Sequence, residues 1–280
     1  MEKISILVTT LNRDSFLAEA LASVRSQTFT NWETIVVDNG QGTGAEKVIR
    51  EIDDPRILYI KANRNLGECG GRNLAFRCAS GDFFCYLDDD DLLTSDSLAA
   101  RLDFYNNHPE CGMIYAGYHV VQFDGHAWIS FPEPKKGLAH FRKSYYDRIL
   151  LRLEYQPQAT YYLLKMFNYV RGGTPLIKRS TLEAVGLFEE GLPVFGDYEM
   201  WLRIAARYPI RFLDRTVYTY RLHPDSTSVR LARSEQAKES ALFLCRRYGI
   251  RRSIQFHEFQ ADIDRLWAGM CVSTLDMPPI

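Results

Sequence analysis

Four consecutive aspartates, Asp88, Asp89, Asp90 and Asp91, are the residues of this chain whose type and spacing point most directly to chemistry. They follow Phe83-Phe84-Cys85-Tyr86-Leu87, an aromatic and apolar run of the length of a buried strand. Carboxylates packed this closely repel one another, so a folded chain must offset them with positive charge. A divalent cation is the economical answer. Mg²⁺, Mn²⁺ and Ca²⁺ take hard oxygen ligands, and Asp offers these on a short stem. Open α/β sheets also place their ligands at the carboxyl ends of strands. The plainer alternative is a solvated acidic turn capping a helix that begins near Leu92.

The elements that must position this run alternate regularly. Ile4-Ser5-Ile6-Leu7-Val8-Thr9 reads as a strand with buried faces, and a helix follows with Phe16, Leu17, Ala20, Leu21 and Val24 on one stripe. A second strand spans 32–38, a glycine-rich turn spans 40–44, and a helix runs through Arg50. A third strand covers 57–60, a loop covers 63–71, and a helix carries Arg72, Asn73, Leu74 and Phe76. Four strand–helix alternations with short connections predict a mostly parallel sheet covered on both faces. In such a sheet Thr9 and Thr10, Asp38 and Asn39, and Asp88 to Asp91 meet at one crevice.

Beyond residue 107 the pattern changes. The stretches 112–123 and 127–131 flank Asp124-Gly125, a strong hairpin signal, so the sheet becomes mixed in its second half. Residues 132–170 are rich in Pro, Lys and Tyr without a clean period and read as a partly helical excursion. A strand over 174–178 and a short helix over 179–185 come next. Asp197 precedes a helix over 198–207, where Asp is a common N-cap. Strand-like pieces at 210–213 and 217–222 lead to His223-Pro224-Asp225-Ser226. The remainder to residue 280 is charged and helix-prone, with Arg246, Arg247, Arg251 and Arg252 clustered.

Composition sets the outer limits. The chain has 280 residues, 46% hydrophobic, and a formal net charge of −1, which excludes nucleic acid as the default partner. The start at Met1-Glu2-Lys3-Ile4 enters a strand directly and predicts no signal peptide. No apolar run approaches a membrane span. The six cysteines show no metal or CxxC spacing and read as reduced thiols of a cytoplasmic protein.

With these residues in view, the chain resembles family 2 glycosyltransferases of the GT-A fold. The resemblance is carried by Ile6-Leu7-Val8-Thr9-Thr10-Leu11-Asn12-Arg13, Ser26-Gln27-Thr28-Phe29, Ile35-Val36-Val37-Asp38-Asn39-Gly40 and Gly71-Arg72-Asn73. It continues in Gly81-Asp82, Tyr86-Leu87 with the four aspartates, the run Gly196-Asp197-Tyr198-Glu199-Met200-Trp201-Leu202-Arg203, and Tyr220-Arg221-Leu222-His223-Pro224-Asp225-Ser226. It implies a GT-A domain over residues 1–225. Residues 1–110 form its nucleotide-binding half, residues 111–225 its acceptor half with the insertion 132–170, and residues 226–280 a helical extension. It further implies inverting transfer of a sugar from a nucleotide-diphosphate donor, a UDP-sugar by preference, to a hydroxyl of a glycan or lipid-linked acceptor. Mn²⁺ or Mg²⁺ would be the cofactor. Apart from the resemblance, the mixed aromatic and basic residues of 132–170 and the basic tail suit an acceptor groove or a peripheral contact at the inner membrane face, and equally plain packing under a long loop.

The resemblance also assigns residues. Asp90 and His223 would approach the metal, and Asp88 and Asp89 would face the donor. Thr9, Leu11, Asp38, Asn39 and Arg72 would line the nucleotide pocket, with Asn39 standing where many relatives carry an acid. Asp197 would be the catalytic base and Glu199 its rival. The opposing expectation is a GT-A domain that holds a nucleotide or glycan without turnover.

Overall fold

The computed structural model describes residues 2–123, 126–130, 160–161, 164–165, 168–224, 226 and 234–250. The buried faces of strand β1 (Ile4–Thr10) alternate, Ile4, Ile6 and Val8 to one side and Ser5 and Leu7 to the other. β1 lies between β2 (Trp32–Asp38) and β4 (Phe83–Asp88), parallel to both, and β2 in turn pairs with β3 (Ile57–Lys61). The register sets Thr10 opposite Asp38 and Thr9 opposite Asp88, so three strand ends finish level.

The second half extends this sheet with β6 (Met113–Phe123), β8 (Leu176–Lys178) and β9 (Ile210–Leu222), and with the two-residue β5 (Leu92–Leu93) at its edge the order is β3-β2-β1-β4-β8-β6-β9-β5. β8 runs antiparallel to both β4 and β6, which makes the sheet mixed, while β6 and β9 are parallel. β7 (Trp128–Ser130) folds back antiparallel on β6, and the hairpin tip at 124–125 lies outside the described residues.

Helices cover both faces. α1 (Asp14–Arg25), α2 (Gly44–Ile52) and α4 (Ser97–Asn106) bury Leu17, Leu21, Val24, Ala45, Leu98 and Leu102 against the Ile4–Ile6–Val8 side. α3 (Gly67–Cys78), α5 (Arg179–Val185), α6 (Gly196–Ala205) and α7 (Glu235–Tyr248) bury Ala75, Leu182, Trp201, Leu202 and Leu244 on the side of Leu7, Ile35 and Val37. α7 therefore shares a core layer with α3 and α6.

Four boundaries differ from expectation. Leu92 does not open a helix. Leu92 and Leu93 form β5, antiparallel to β9, and α4 starts only at Ser97. α3 begins at Gly67, four residues inside the predicted loop. The two strand pieces after 210 are one strand, with a register shift opposite Ala116 and Gly117. Asp197 is not an N-cap. Phe195 caps α6 with φ 65°, and Asp197 sits in the first turn.

Candidate active site

A cleft of about 1350 Å³ opens at the level strand ends. Its floor is the aspartate run. A turn closed by the Asp91 amide donating to the Asp88 carbonyl (3.1 Å) sends the four carboxylates in four directions. Asp88 faces α3 and receives Arg72 Nη2 at 2.7 Å. Asp89 accepts from the hydroxyl of Thr10, the last residue of β1 (2.7 Å), and from Arg13 Nη1 just beyond that strand (3.0 Å). Asp90 Oδ2 meets Arg13 Nη1 and His223 Nε2, the latter at 3.1 Å. Asp91 is fully buried and accepts from the Tyr218 hydroxyl (2.6 Å) and the Arg221 amide (2.7 Å), so it belongs to the core and does not reach the cleft.

Charge here is offset largely by the protein's own arginines. Burial pushes Asp89 up to about 6 in spite of Arg13 and the Thr10 hydroxyl. Burial also acts to raise Asp90, but the His223 contact and Arg13 outweigh it and hold that carboxyl low. Arg221 supports the turn from behind. Its guanidinium lies over Phe16 (4.8 Å) and Trp128 (5.2 Å), which meet edge to face, and donates to the Asp90 carbonyl and the Glu19 carboxylate. Phe16 also stacks on His223 at 4.7 Å, so one aromatic group orients both the turn and the imidazole.

The facing wall comes from α3, α6 and the loop before β8. Asp197 lines it half-buried, its Oδ1 accepting the Tyr198 amide at 2.7 Å. Burial raises the Asp197 carboxyl, and Arg72, the Tyr198 amide and Arg171 act against that rise. Arg72 thus couples the two walls: it pairs with Glu68 (2.6 Å) and Asp88 (2.7 Å) and its charge also acts on Asp197.

The sequence-predicted residues divide clearly. Thr9, Leu11, Asn39, Arg72, Asp88, Asp89, Asp90 and Asp197 all line the cleft, with His223 joined to Asp90. Asp38 does not line it. Its carboxylate turns to the Tyr59 hydroxyl (2.8 Å) and Lys61 (2.7 Å) of β3 and to the Gly40 amide (2.7 Å). Asn39 is present, but its amide spans the approach to α3, accepting from Leu66 N and donating to the Gly67 carbonyl (both 3.1 Å). Glu199 lies outside the cleft. It is fully buried, bound by Arg203 at 2.8–2.9 Å and by the Tyr248 hydroxyl at 2.5 Å. Sequence reasoning assigned no role to Arg13, Arg171 or Tyr220. Arg13 and Tyr220 each stand inside a motif that carries the resemblance, whereas Arg171 had no local signal.

The donor set suits a hard cation shared with a ligand. Ligand bonds of about 2.1–2.2 Å place neighbouring octahedral ligands roughly 3.0 Å apart. Asp90 Oδ2 and His223 Nε2 are separated by 3.1 Å. Among the described residues no group of three acid, histidine or cysteine side chains could hold a metal ion alone. One or two protein ligands plus phosphate oxygens is the usual arrangement for Mg²⁺.

A mostly parallel sheet with an acid-lined cleft at its carboxyl edge, mixed in its second half, defines the GT-A class of nucleotide-sugar folds. The family model for glycosyl transferase family 2 matches residues 5–164, more than half of the chain, and the chain belongs to that family. An uncharacterized glycosyltransferase of Rickettsia typhi is 25% identical over 227 residues, covering 80% of this chain, which spans 65% of that relative's length. The putative colanic acid biosynthesis glycosyl transferase WcaA of Escherichia coli is 29% identical over 207 residues, covering 73% of this chain and 67% of the relative. The mannosyltransferase PcManGT of Pyrobaculum calidifontis, solved with GDP-mannose and Mn²⁺, superposes with TM-score 0.60 at 17% identity, covering 86% of this chain and 64% of that one. TarS 1–349 of S. aureus, solved with UDP-GlcNAc, gives 0.59 at 17% identity, covering 94% and 81%. At these identities the structural likeness shows the fold alone. No helix among the described residues is long and apolar enough to cross a membrane.

Proposed function

We propose that this chain transfers a sugar from a nucleoside diphosphate sugar to an acceptor hydroxyl in a single inverting displacement. The observation that carries this reading is the cleft with Asp197 on one wall and Asp88 and Asp90 on its floor, Asp90 backed by His223 and the two sides linked by Arg72. Asp197 takes the proton from the attacking hydroxyl. Its burial raises the carboxyl and makes it a better base, while Arg72, the Tyr198 amide and Arg171 act against that rise and favour the ionised form. As the donor bond breaks, negative charge collects on the departing diphosphate, within reach of Arg13 and Arg72. Asp90 and His223 would hold Mn²⁺ or Mg²⁺, which supplies further charge stabilisation there when bound. Thr9, Leu11, Asn39 and Asp89 frame the nucleotide end. A UDP-sugar is the first donor to test. Asn39 gives this choice no support, since both ends of its amide are engaged.

The acceptor is a glycan or lipid-linked hydroxyl. A peripheral membrane contact through residues 132–170 and the Arg246–Arg247 cluster would place the chain at a lipid surface. Most of that insertion lies outside the described residues. Its described aromatics pack inward: Tyr169 stacks on Tyr115 at 5.6 Å, and its hydroxyl donates to the Thr160 carbonyl at 3.1 Å. Co-sedimentation with anionic vesicles at low salt tests the contact, and no binding removes it.

The central test is incubation with UDP- and GDP-sugars, Mn²⁺ and a panel of glycan acceptors, reading free nucleoside diphosphate together with glycosylated product. EDTA should abolish both signals and added Mn²⁺ should restore them. Asp90→Ala should be inactive while still unfolding in a cooperative transition. Full activity in EDTA, or in Asp90→Ala, refutes the metal assignment.

A further inference from the structure

Among the described residues three arginines line the cleft, and two are balanced. Arg13 pairs with Asp89 and Asp90, and Arg72 pairs with Glu68 and Asp88. Arg171 is different. No carboxylate of the described residues lies within ion-pair distance of it. Asp91 and Asp197 act on it only through space. Its guanidinium rests on the face of Tyr220 at 4.0 Å and lies 5.3 Å from the ring of Tyr118, with whose hydroxyl it also hydrogen-bonds; these contacts fix its plane and bring no formal negative charge.

Its placement is built in. The loop from Arg171 to Pro175 is closed by the Thr174 amide and hydroxyl, which both donate to the Arg171 carbonyl at 3.0 and 2.9 Å. From beneath, the fully buried Arg101 donates to the carbonyls of Gly173, Thr174 and Pro175 at 3.3, 3.4 and 2.9 Å. Gly173 presses on Tyr218 so closely that a Cβ there would stand 1.9 Å from the ring. Such bracing holds a poorly hydrated cation in an open cleft, an arrangement that is costly unless an anion completes it. The wall is that of the base: a Cβ on the adjoining Gly172 would lie 3.3 Å from Asp197 Oδ2. For the donor's phosphates there are Arg13, just past β1 beside Asp89 and Asp90, and Arg72, which reaches from α3 to Asp88 at the end of β4.

Resting on the proposed transfer reaction, we infer that Arg171 is an acceptor subsite for an anionic sugar, recognising a carboxylate or phosphate close to the hydroxyl that Asp197 deprotonates. A planar guanidinium suits either group, because both accept two parallel hydrogen bonds.

The test uses protein loaded with Mn²⁺ and UDP or GDP, so that the diphosphate end is filled. Calorimetry or ligand-observed NMR then compares methyl glucuronide, glucose 1-phosphate and neutral methyl glucoside. The wild type should bind one of the anionic probes at least tenfold more tightly than the neutral one. Arg171→Gln should lose that preference with nucleotide affinity unchanged, and Arg171→Lys, which keeps the charge, should retain part of it. No preference in the wild type, an undiminished preference in Arg171→Gln, or a parallel loss of nucleotide affinity in Arg171→Gln overturns the inference. Failure of the wild type to bind any nucleoside diphosphate overturns the transfer reading and this one together. Binding of nucleotide without anion preference sinks only the acceptor subsite.

Discussion

Asp197 and Glu199 are two residues apart and both acidic, and the structure gives them opposite fates, which a pair of substitutions can separate. Glu199 is 0% exposed, its two oxygens gripped by Arg203 Nε at 2.9 and 2.8 Å and by the Tyr248 hydroxyl. Arg203 also donates to the carbonyls of Val185, Gly186 and Leu187, so this ion pair ties α6 to the end of α5. Breaking a buried pair costs about 3–5 kcal/mol. Glu199→Gln retains one acceptor oxygen and leaves Arg203 its three carbonyls, so the expected loss is about 3 kcal/mol, the lower end of that range. For a domain of this size it lowers the unfolding midpoint by about 6–12 °C. Turnover per folded molecule should stay within about threefold of wild type, since the carboxylate never reaches the cleft. Asp197→Asn should do the reverse. Asn still accepts the Tyr198 amide, so stability is preserved, while loss of the proton acceptor removes about two to four orders of magnitude in turnover. Thermal unfolding and single-turnover assays on both variants decide the matter. An inactive Glu199→Gln with a wild-type midpoint refutes the assignment, and so does a fully active Asp197→Asn.

Two shorter predictions follow. Glu33 on β2 binds Lys3, Ser5, Ser80 and the Gly81 amide; although partial burial works against ionisation, these donors hold its carboxyl down at about 2 against 4.5 unfolded. That difference stabilises the fold by at most about 3 kcal/mol, fully present above pH 4.5 and lost as pH falls toward 2. Glu33→Gln should therefore flatten the acid limb of a stability–pH curve, and an unaltered limb would contradict the pairing. Gly172→Ala places a methyl 3.3 Å from Asp197 Oδ2 at ordinary backbone angles. A displacement of a few tenths of an ångström should cost about tenfold in turnover with little change in the unfolding midpoint, and unchanged turnover would mean that the carboxylate needs no fixed position.

How much of this was readable beforehand depends on whether the signal was local. β1, β2 and β4 are apolar runs buried on both faces, and the three level strand ends could be placed from the alternation of elements alone. Leu92-Leu93 misled because its strand partners, Thr219 and Tyr218, are remote in sequence. Glycines at 67, 70 and 71 suggested loop, yet Cys69, Arg72 and Ala75 pack against the sheet and tertiary contact overrode propensity. Asp38 looked like a pocket residue by its position at a strand end, but only the structure shows Tyr59 and Lys61 of β3 turning its carboxylate away. Arg171 could not be found at all from sequence, since its meaning lies in having no carboxylate within ion-pair distance among the described residues.

The aspartate run also implies an order of assembly. The sequence suggests a metal to relieve the repulsion, whereas the fold already supplies Arg13 and Arg72 for three of the four acids, and hydrogen bonds from Tyr218 and the Arg221 amide for the fourth. Asp90 Oδ2, the best placed ligand atom, is shared between Arg13 and His223. A cation arriving alone must displace Arg13 and gains only one or two protein ligands. A cation arriving with a diphosphate brings its own oxygen ligands and gives Arg13 an anion to move to. Mn²⁺ should therefore bind weakly to the free protein and at least tenfold more tightly with UDP or GDP present, the nucleotide gaining by the same factor. Arg13→Gln should raise the affinity for Mn²⁺ alone while lowering that for the metal–nucleotide pair. Titrations of Mn²⁺ with and without nucleotide measure all four constants, and equal Mn²⁺ affinity in the two states would show that Arg13 does not guard the site.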